Sequence, residues 1–474
     1  MAIENLTDMK DEMLEEPYVD SPEEETGGIM YRLGAVFSAL AQKYMPDAII
    51  FALGLTGVVF VLGVLLTDAS PLDMLIYHGE GLYSLLAFCL QVTLTLLFSN
   101  VVATTKPVAK LLDKLTDIPK TPAQAYIIGY IISGVGMLLS WAIGLVVGGV
   151  YAKTMAKKVK GVDYAFLVAT VYCSMCVWHG GLSGTIPLAI STEGSFAADY
   201  LDHLYPSTAF FLHPLNLILI FIGLIVTPLL ITRMLMPPKS KVREVDPNLF
   251  HNDEERVHAP EEKTPAQKIE FSRITSLILA GLVLAFYVRH FAIHGLAGLD
   301  LNSLNGVLFG LGVLFSDNLM DFNHNIRESA KGCGALMVQF PLYAGIMSMT
   351  TRSGLSDVLS NAIVSIATPK TLPNIINISS AVLNMIIPSG GGKFSVEAPI
   401  YIPAVYELKA DLIPTMMGAA WGDALTNLIQ PFWALPLLAI AKLKIKDIMG
   451  YCVIYCLFMF LAIQVVLAVY SHMF

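Results

Sequence analysis

The sequence predicts an all-α polytopic membrane protein, an inverted repeat with two re-entrant hairpins and two broken transmembrane helices. Three observations carry this. First, 55% of the 474 residues are hydrophobic and only 14% are charged. Many windows of about 20 residues, the length a helix needs to cross a hydrocarbon core, hold almost no charge. Second, Pro388-Ser389-Gly390-Gly391-Gly392-Lys393-Phe394-Ser395-Val396-Glu397-Ala398-Pro399 lies between two apolar arms, Ile375 to Ile387 and Ile400 to Val405, each too short to span. A helix going in, a glycine turn at membrane depth and a helix coming back fit that pattern. Irregular backbone at such depth is tolerated only where protein or a water-filled cavity satisfies its polar groups. Third, the order span, span, hairpin, broken helix, span occurs twice.

The segments take their orientation from Lys and Arg, which concentrate in short cytoplasmic loops. Residues 1–44 read as an acidic cytoplasmic tail and lead-in, with Asp11, Glu12, Glu15, Glu16 and Glu23 to Glu25. Nothing there joins a basic region to an apolar core, so no cleavable signal peptide is expected. The tail and the acidic central loop carry much of the net charge of −9, so that charge does not point to a partner.

The first repeat occupies 45–235. Its first span, Ala48 to Leu66, follows Arg32 and Lys43. The loop from Thr67 to Gly79 has no Lys or Arg and is placed outside. Leu82 to Val102 returns to Lys106, Lys110, Lys114 and Lys120. The hairpin, about 123–152, is interrupted by Ser140-Trp141-Ala142-Ile143-Gly144. Lys153, Lys157, Lys158 and Lys160 follow it, so it enters and leaves on the cytoplasmic face. The broken helix, about 163–190, is interrupted from His179 to Pro187 and crosses to an external loop, Ser191 to Pro206. Thr208 to Met234 then comes back to a cytoplasmic loop at 236–272 containing Arg233 at its edge, Lys239, Lys241, Arg243, Arg256, Lys263 and Lys268.

A linking transmembrane helix, 273–302, inverts the second repeat at 303–474. Leu304 to Leu319 goes in and Gly334 to Met349 goes out. The second hairpin, about 373–408, starts and ends outside. The second broken helix, about 412–438, has its break from Gly422 to Pro431 and returns to Lys442, Lys444 and Lys446. Ile448 to Tyr470 leaves the C-terminus external, with the N-terminus cytoplasmic. From tip to break is 43 residues in the first copy (Ser140 to Ser183) and 37 in the second (Ser389 to Thr426). Inverted repeats whose discontinuous helices meet at the midplane are the architecture of secondary transporters.

A helix that stops in mid-membrane leaves N–H groups free at one end and C=O groups free at the other. The N–H end suits an anion; the C=O end, joined by Ser, Thr or Asn oxygens, suits Na⁺. One candidate cation site is Ser140 and Gly144 with Ser183, Gly184 and Thr185. The other is Ser389 to Gly392 with Thr426 and Asn427. The candidate substrate residues are Ser140, Trp141, His179, Gly180, Gly181, Ser389, Gly390, Gly391, Gly392, Lys393 and Asp423. The competing reading is that these are small residues easing helix packing. His179 and Asp423 are costly at depth without a partner; either could bind substrate or carry a proton, and a purely structural histidine is the alternative. Lys393 and Glu397, four apart, can pair on a helix. Lys393 could instead meet a substrate carboxylate or stand where a cation would sit.

Other chemistries are disfavoured. Cys173-Ser174-Met175-Cys176 has no second ligand pair and sits in an apolar run, so packing explains it better than a metal. Gly390-Gly391-Gly392-Lys393 lacks the spacing of a phosphate loop. No nucleophile–base pair or metal-ligand set suggests an enzyme, no cofactor is expected, and nothing suggests nucleic-acid binding.

Several stretches resemble the bacterial short-chain fatty acid (acetoacetate/butyrate) transporters. They are Val177-Trp178-His179-Gly180-Gly181-Leu182-Ser183-Gly184, Pro388 to Gly392, Thr426-Asn427-Leu428-Ile429-Gln430-Pro431-Phe432-Trp433-Ala434-Leu435-Pro436, and Gln339-Phe340-Pro341 with Leu342 to Met347. The resemblance runs from about Tyr31 to the C-terminus. It implies uptake of a small monocarboxylate and a place in the larger ion-transporter superfamily. Members similar to the divalent-anion/sodium symporters have a scaffold and a transport domain, are commonly dimeric, and work as elevators. The chain departs from the family pattern at Lys393 and Glu397, where glutamines are expected, and at Ser140-Trp141-Ala142, where Asn-Trp-Gly is expected.

The expectation is a secondary active transporter of the bacterial inner membrane carrying a short-chain fatty acid or similar small carboxylate. Na⁺ or H⁺ symport would drive it, with the acyl tail against Trp141 and Phe394; a homodimer is implied by the resemblance. An exchanger for a different small organic anion and an anion channel are the alternatives.

Overall fold

A computed structural model describes residues 48–237, 242–245, 264–331, 333–387 and 389–473. The predicted acidic tail, most of the loop at 236–272 and Pro388 lie outside the described residues. Every regular element among those described is a helix.

The first half opens with α1 (Ala48–Leu66), α2 (Pro71–Gly81), α3 (Leu86–Ala103) and α4 (Lys106–Leu115). Helix α2 starts on a reciprocal cap, Ser70 with Asp73, and has Pro71 in its first turn, where the missing N–H costs nothing. Next come α5 (Pro122–Leu139) and α6 (Trp141–Lys158), separated by Ser140 alone. Their contacts run in opposite senses along the chain: Ser133 Oγ donates to Gly144 O and Tyr151 OH to Ala125 O. The pair is therefore antiparallel. Helix α7 (Tyr164–Cys173) is capped by Asp163 and continues as a tighter 3₁₀ stretch, Ser174–Gly180. After a break at 181–184 the chain resumes as α8 (Thr185–Ser191), then α9 (Ser207–Phe211) and α10 (Pro214–Phe221). The last runs on to Leu235 through wider turns around Pro228, which cannot donate to the ordinary ladder.

The second half contains α11 (Pro265–Glu270), α12 (Arg273–His294), α13 (Leu301–Phe315), α14 (Leu319–Ala330), α15 (Gly334–Arg352) and α16 (Leu355–Ile366). It ends with α17 (Leu372–Asn384), α18 (Gly390–Leu408), α19 (Leu412–Asn427), α20 (Pro431–Ala441) and α21 (Ile445–Met473).

Among the described residues, six helical stretches are long and apolar enough to cross a membrane, and they divide sharply by burial. In the apolar 18-residue window of Tyr164–Ser191, 94% of the residues are buried, against 11% in that of Arg273–Gly298. The broken α7–α8 unit thus sits at the centre, as does α19, whose every residue is buried. Helix α12 lies at the edge with Ile278, Leu282, Phe286 and Val288 exposed, the side-chain type that suits lipid contact.

Close backbone packing holds the centre. Helix α5 runs alongside α7 in the same sense, since Ser133 pairs with Val171 O and Leu182 N–H with Leu138 O. Helix α17 runs likewise alongside α19, through Asn377 to Gly418 O, Ser380 to Ala419 O and Asn384 to Asp423 O. A Cβ on Gly418 or Gly422 would come within 2.3 Å of Pro373 O or 2.4 Å of Asn377 O. Small residues four apart here serve helix contact.

Several boundaries differ from the sequence reading. The second break is confined to 428–430, because Gly422 to Asn427 stays helical against α17. Gly390 to Gly392 form the first turn of α18 rather than a turn between arms. Ser389 Oγ caps them by accepting the Gly392 N–H, and 385–387 and Ser389 are non-helical. The returning arm is consequently 19 residues long, not the short Ile400 to Val405. Helices α2, α4, α14 and α16 fill segments read as loops or span ends; α4 and α14 carry polar faces that hydropathy windows pass over.

Candidate functional site

The first tip is Ser140, whose extended backbone (φ −159°, ψ 135°) separates α5 from α6. Its Oγ lies 2.6 Å from Ser99 Oγ, and the adjoining Trp141 N–H donates to Ser183 Oγ at 3.2 Å. The first tip and the first break are therefore in contact, as the candidate cation set requires of Ser140 and Ser183. Gly144 contributes differently: its C=O already accepts the Ser133 hydroxyl, and a Cβ there would press within 2.6 Å of Met137 N. Gly180 O is taken by Asn216 Nδ2 at 3.0 Å. Gly181 and Gly184 are sterically required, since a Cβ would lie 2.2 Å from Leu138 O and 2.4 Å from His179 O respectively.

The second tip rests on the first break. A Cβ on Gly390 would meet His179 Nε2 at 3.2 Å and Thr185 Oγ1 and Trp178 at 3.3 Å. On Gly391 it would meet Phe88 at 2.6 Å, and on Gly392 Tyr343 at 2.3 Å. Thr185 thus faces Gly390 and Gly391 of the second tip. The glycines let the start of α18 approach rings that any side chain would hold off. Only Gly392 N–H is drawn to the Ser389 cap; the N–H groups of Gly390 and Gly391 belong to the first turn, which the helical ladder leaves unused.

Between these parts lies a fully buried charge network. Lys393 Nζ is 3.0 Å from both carboxylate oxygens of Glu397 and 3.4 Å from Asp423 Oδ1, and it donates to Ser380 Oγ. Asp423 Oδ2 lies 2.9 Å from His179 Nε2 and accepts from Asn427 Nδ2 at 3.2 Å. Lys393, Glu397, Asp423 and His179 have no exposed side-chain surface. Removing such charges from water is expensive, and mutual pairing with further hydrogen bonds offsets it. Tyr401 OH adds a contact to Glu397 Oε1 at 3.4 Å and donates to Ser379 Oγ at 2.8 Å.

The second candidate cation set is rearranged. Thr426 and Asn427 turn to α17: Asn384 Nδ2 donates to Thr426 Oγ1 at 3.0 Å and to Asn427 Oδ1 at 2.7 Å. Gly390 and Gly391 face the first break instead, and Gly392 faces Tyr343. Asn384 also accepts from Gln430 through its backbone C=O, tying the second break to α17. Sequence reasoning passed over Asn384 and Ser380. Their signal was present, since Asn377, Ser380 and Asn384 form a polar stripe at helical spacing in an otherwise apolar arm.

Aromatic rings flank the second tip on two sides. Trp141 packs on Trp433 at 4.9 Å between centroids, and Trp178 is 6.5 Å from both. Phe394 belongs to another group, 5.7 Å from Phe196, which in turn meets Phe88 at 4.8 Å. Trp141 and Phe394 therefore do not form a single surface. Among the described residues, Trp178 Nε1 and His179 Nδ1 are buried without a hydrogen-bond partner.

A family profile described as short chain fatty acid transporter matches residues 29–470. A relative from Escherichia coli (strain K12), provisionally named as a short-chain fatty acid transporter, is 35% identical over 428 residues, covering 90% of this chain and 97% of its own. One from Haemophilus influenzae, named in the same way, is 33% identical over 428 residues, covering 89% and 95%. Among solved structures, the YdaH transporter of Alcanivorax borkumensis, described as having an unusual topology, aligns with a TM-score of 0.55 at 18% identity. The alignment covers 90% of this chain and 98% of that one. MtrF of Neisseria gonorrhoeae, described with a class of antimetabolite efflux pumps, gives 0.58 at 15% identity, over 93% and 97%. At such identities the two structures speak for the fold alone.

Proposed function

Because the chain belongs to the short-chain fatty acid transporter family, and so to transporters rather than enzymes, we propose that it is a secondary active carrier of short-chain carboxylates in the bacterial inner membrane. The observation that carries this reading is the seat of the second tip: Gly390 and Gly391, at the start of a 19-residue helix, lie against Thr185, Trp178 and His179. A carboxylate there meets unused backbone N–H groups, the positive end of the helix dipole and the Trp178 indole N–H. Its tail meets rings on either side, Phe88 or Trp178. The short tail fits a site closed by large rings rather than open to chain length.

The matched arrangement of the two halves, α5 alongside α7 and α17 alongside α19 in the same sense, supports the inverted repeat and the re-entrant hairpins. On that reading the hairpins alternately gate the two faces in an elevator motion, with a cytoplasmic N-terminus, an external C-terminus and a dimeric assembly. An inward Na⁺ or H⁺ gradient supplies the energy.

Uptake of labelled acetate, butyrate, acetoacetate and succinate into proteoliposomes tests this, with protein-free liposomes subtracting passive entry of the neutral acids. Saturable, gradient-dependent accumulation of the monocarboxylates is expected, with succinate the weakest. Current without concentrative uptake would replace the carrier with an anion channel.

A further inference from the structure

Charge balance around His179 bears on the coupling ion. Lys393 contributes one positive charge, and Glu397 and Asp423 one negative charge each. With a neutral imidazole the buried network is one unit negative; with imidazolium it is neutral. A carboxylate arriving beside a buried negative cluster is opposed at close range, where interactions are poorly screened. Binding an anion and adding one positive charge must go together.

The cation position is already filled from within the chain. Glu397 Oε1 and Oε2, Asp423 Oδ1 and Ser380 Oγ converge on Lys393 Nζ from three helices. Hard oxygens gathered in this way are what an alkali or alkaline-earth cation requires, and a tethered ammonium occupies their focus. The remaining place for a positive charge is the imidazole. Asp423 is an acceptor only, so neutral His179 donates Nε2–H to it and keeps a bare lone pair at Nδ1. Among the described residues that Nδ1 has no partner, and neither does the adjacent Trp178 Nε1; the two ring centroids are 3.7 Å apart. A buried indole N–H without an acceptor is expensive. Once Nδ1 is protonated, two neighbouring donors are available to one carboxylate.

We propose that the co-transported ion is a proton carried on His179 Nδ1, that it binds together with the substrate carboxylate, and that Lys393 stands permanently in the place of Na⁺. This rests on the carboxylate reading given above. The groups that bear electrostatically on His179 are Asp423 from α19 and Lys393 from α18, with Glu397 behind Lys393. Tyr130 of α5 faces Cys176 and Cys173 instead. Among the described residues, α6, α8 and α10 bring no charged group to the ring. Proton and anion enter in equal number, so the step moves no net charge onto the protein.

Calorimetry of butyrate binding to the purified full-length protein, in two buffers of different ionisation enthalpy, provides the test. Above the imidazole's titration, about one proton should be taken up per butyrate, and affinity should fall about tenfold per pH unit. Replacing Na⁺ with choline should leave the wild-type affinity unchanged. Lys393→Met, which strips the oxygens of their cation, should bind butyrate more tightly when Na⁺ is added. Wild-type affinity that tracks Na⁺, with heats independent of buffer, overturns the proposal, and that measurement needs no variant to fold. His179→Gln that still takes up the proton overturns it as well. Absence of any heat with butyrate, acetate and acetoacetate in every buffer removes the carboxylate reading itself, a distinct result.

Discussion

Asn384 and Asn427 meet amide to amide across the α17–α19 contact, Nδ2 to Oδ1 at 2.7 Å, both without exposed surface. This bond, with those from Asn384 to Asp423 O and Thr426 Oγ1, holds the last turn of α19 just before its break. It fixes Asp423 where His179 and Lys393 can reach it. The charge network is thus positioned by a neutral amide that carries no charge of its own.

Asn384→Leu should lower stability by about 1–3 kcal/mol, the cost of leaving buried polar partners unsatisfied. The midpoint of unfolding in detergent reads it. Asn427→Ala, which keeps two of the three Asn384 contacts, should unfold closer to wild type yet show weakened butyrate uptake with normal membrane insertion. Wild-type uptake by Asn427→Ala would count against a role for this amide in the site.

Glu397→Ala should be far more damaging than its surface-exposed counterparts, at about 3–5 kcal/mol, because it leaves a buried ammonium short of counter-charge. The double variant Lys393→Met with Glu397→Leu should recover most of that loss. The double-mutant cycle, again from unfolding midpoints, should show coupling well above 1 kcal/mol.

Gly422→Ala puts a methyl 2.4 Å from Asn377 O, a backbone atom that cannot rotate away. Separating α17 from α19 should cost about 1–3 kcal/mol and lower the yield of monodisperse protein on size exclusion.

Gly390→Ala is the milder change, with contacts of 3.2 and 3.3 Å to His179, Thr185 and Trp178. Its unfolding midpoint should stay near wild type while butyrate affinity drops about tenfold, equivalent to about 1.4 kcal/mol. Equal affinity in the two proteins would mean that substrate binds away from the second tip.

Much of the fold was legible because lipid imposes a simple rule: apolar length makes spans, and Gly, Ser and Pro mark where a helix stops. Ser140, which separates α5 from α6, and an interruption within His179 to Pro187, which the structure narrows to 181–184, follow from that rule. Lys393 and Glu397 pair, as their four-residue spacing allows. The rule fails where one residue type serves two purposes. Gly422 was read as part of a break but secures helix contact, and Gly390 to Gly392 were read as a turn but begin a helix. A glycine's sequence neighbourhood does not say whether a carbonyl from elsewhere will press on it. Helices α4 and α14 escaped for the opposite reason, since their polar faces resemble loops to any hydropathy window.

The sequence by itself determined a many-helix membrane protein, the neighbourhoods of its interruptions and the residue types available at each, because those depend on composition along the chain. The tertiary structure alone decided which interruption faces which. It set the second tip on the first break, turned Thr426 and Asn427 toward Asn384, and drew Lys393, Glu397, Asp423 and His179 into one network from distant parts of the chain. Partner choice among buried polar groups depends on three-dimensional distance, and each such group must find whichever neighbour the packing brings within about 3 Å.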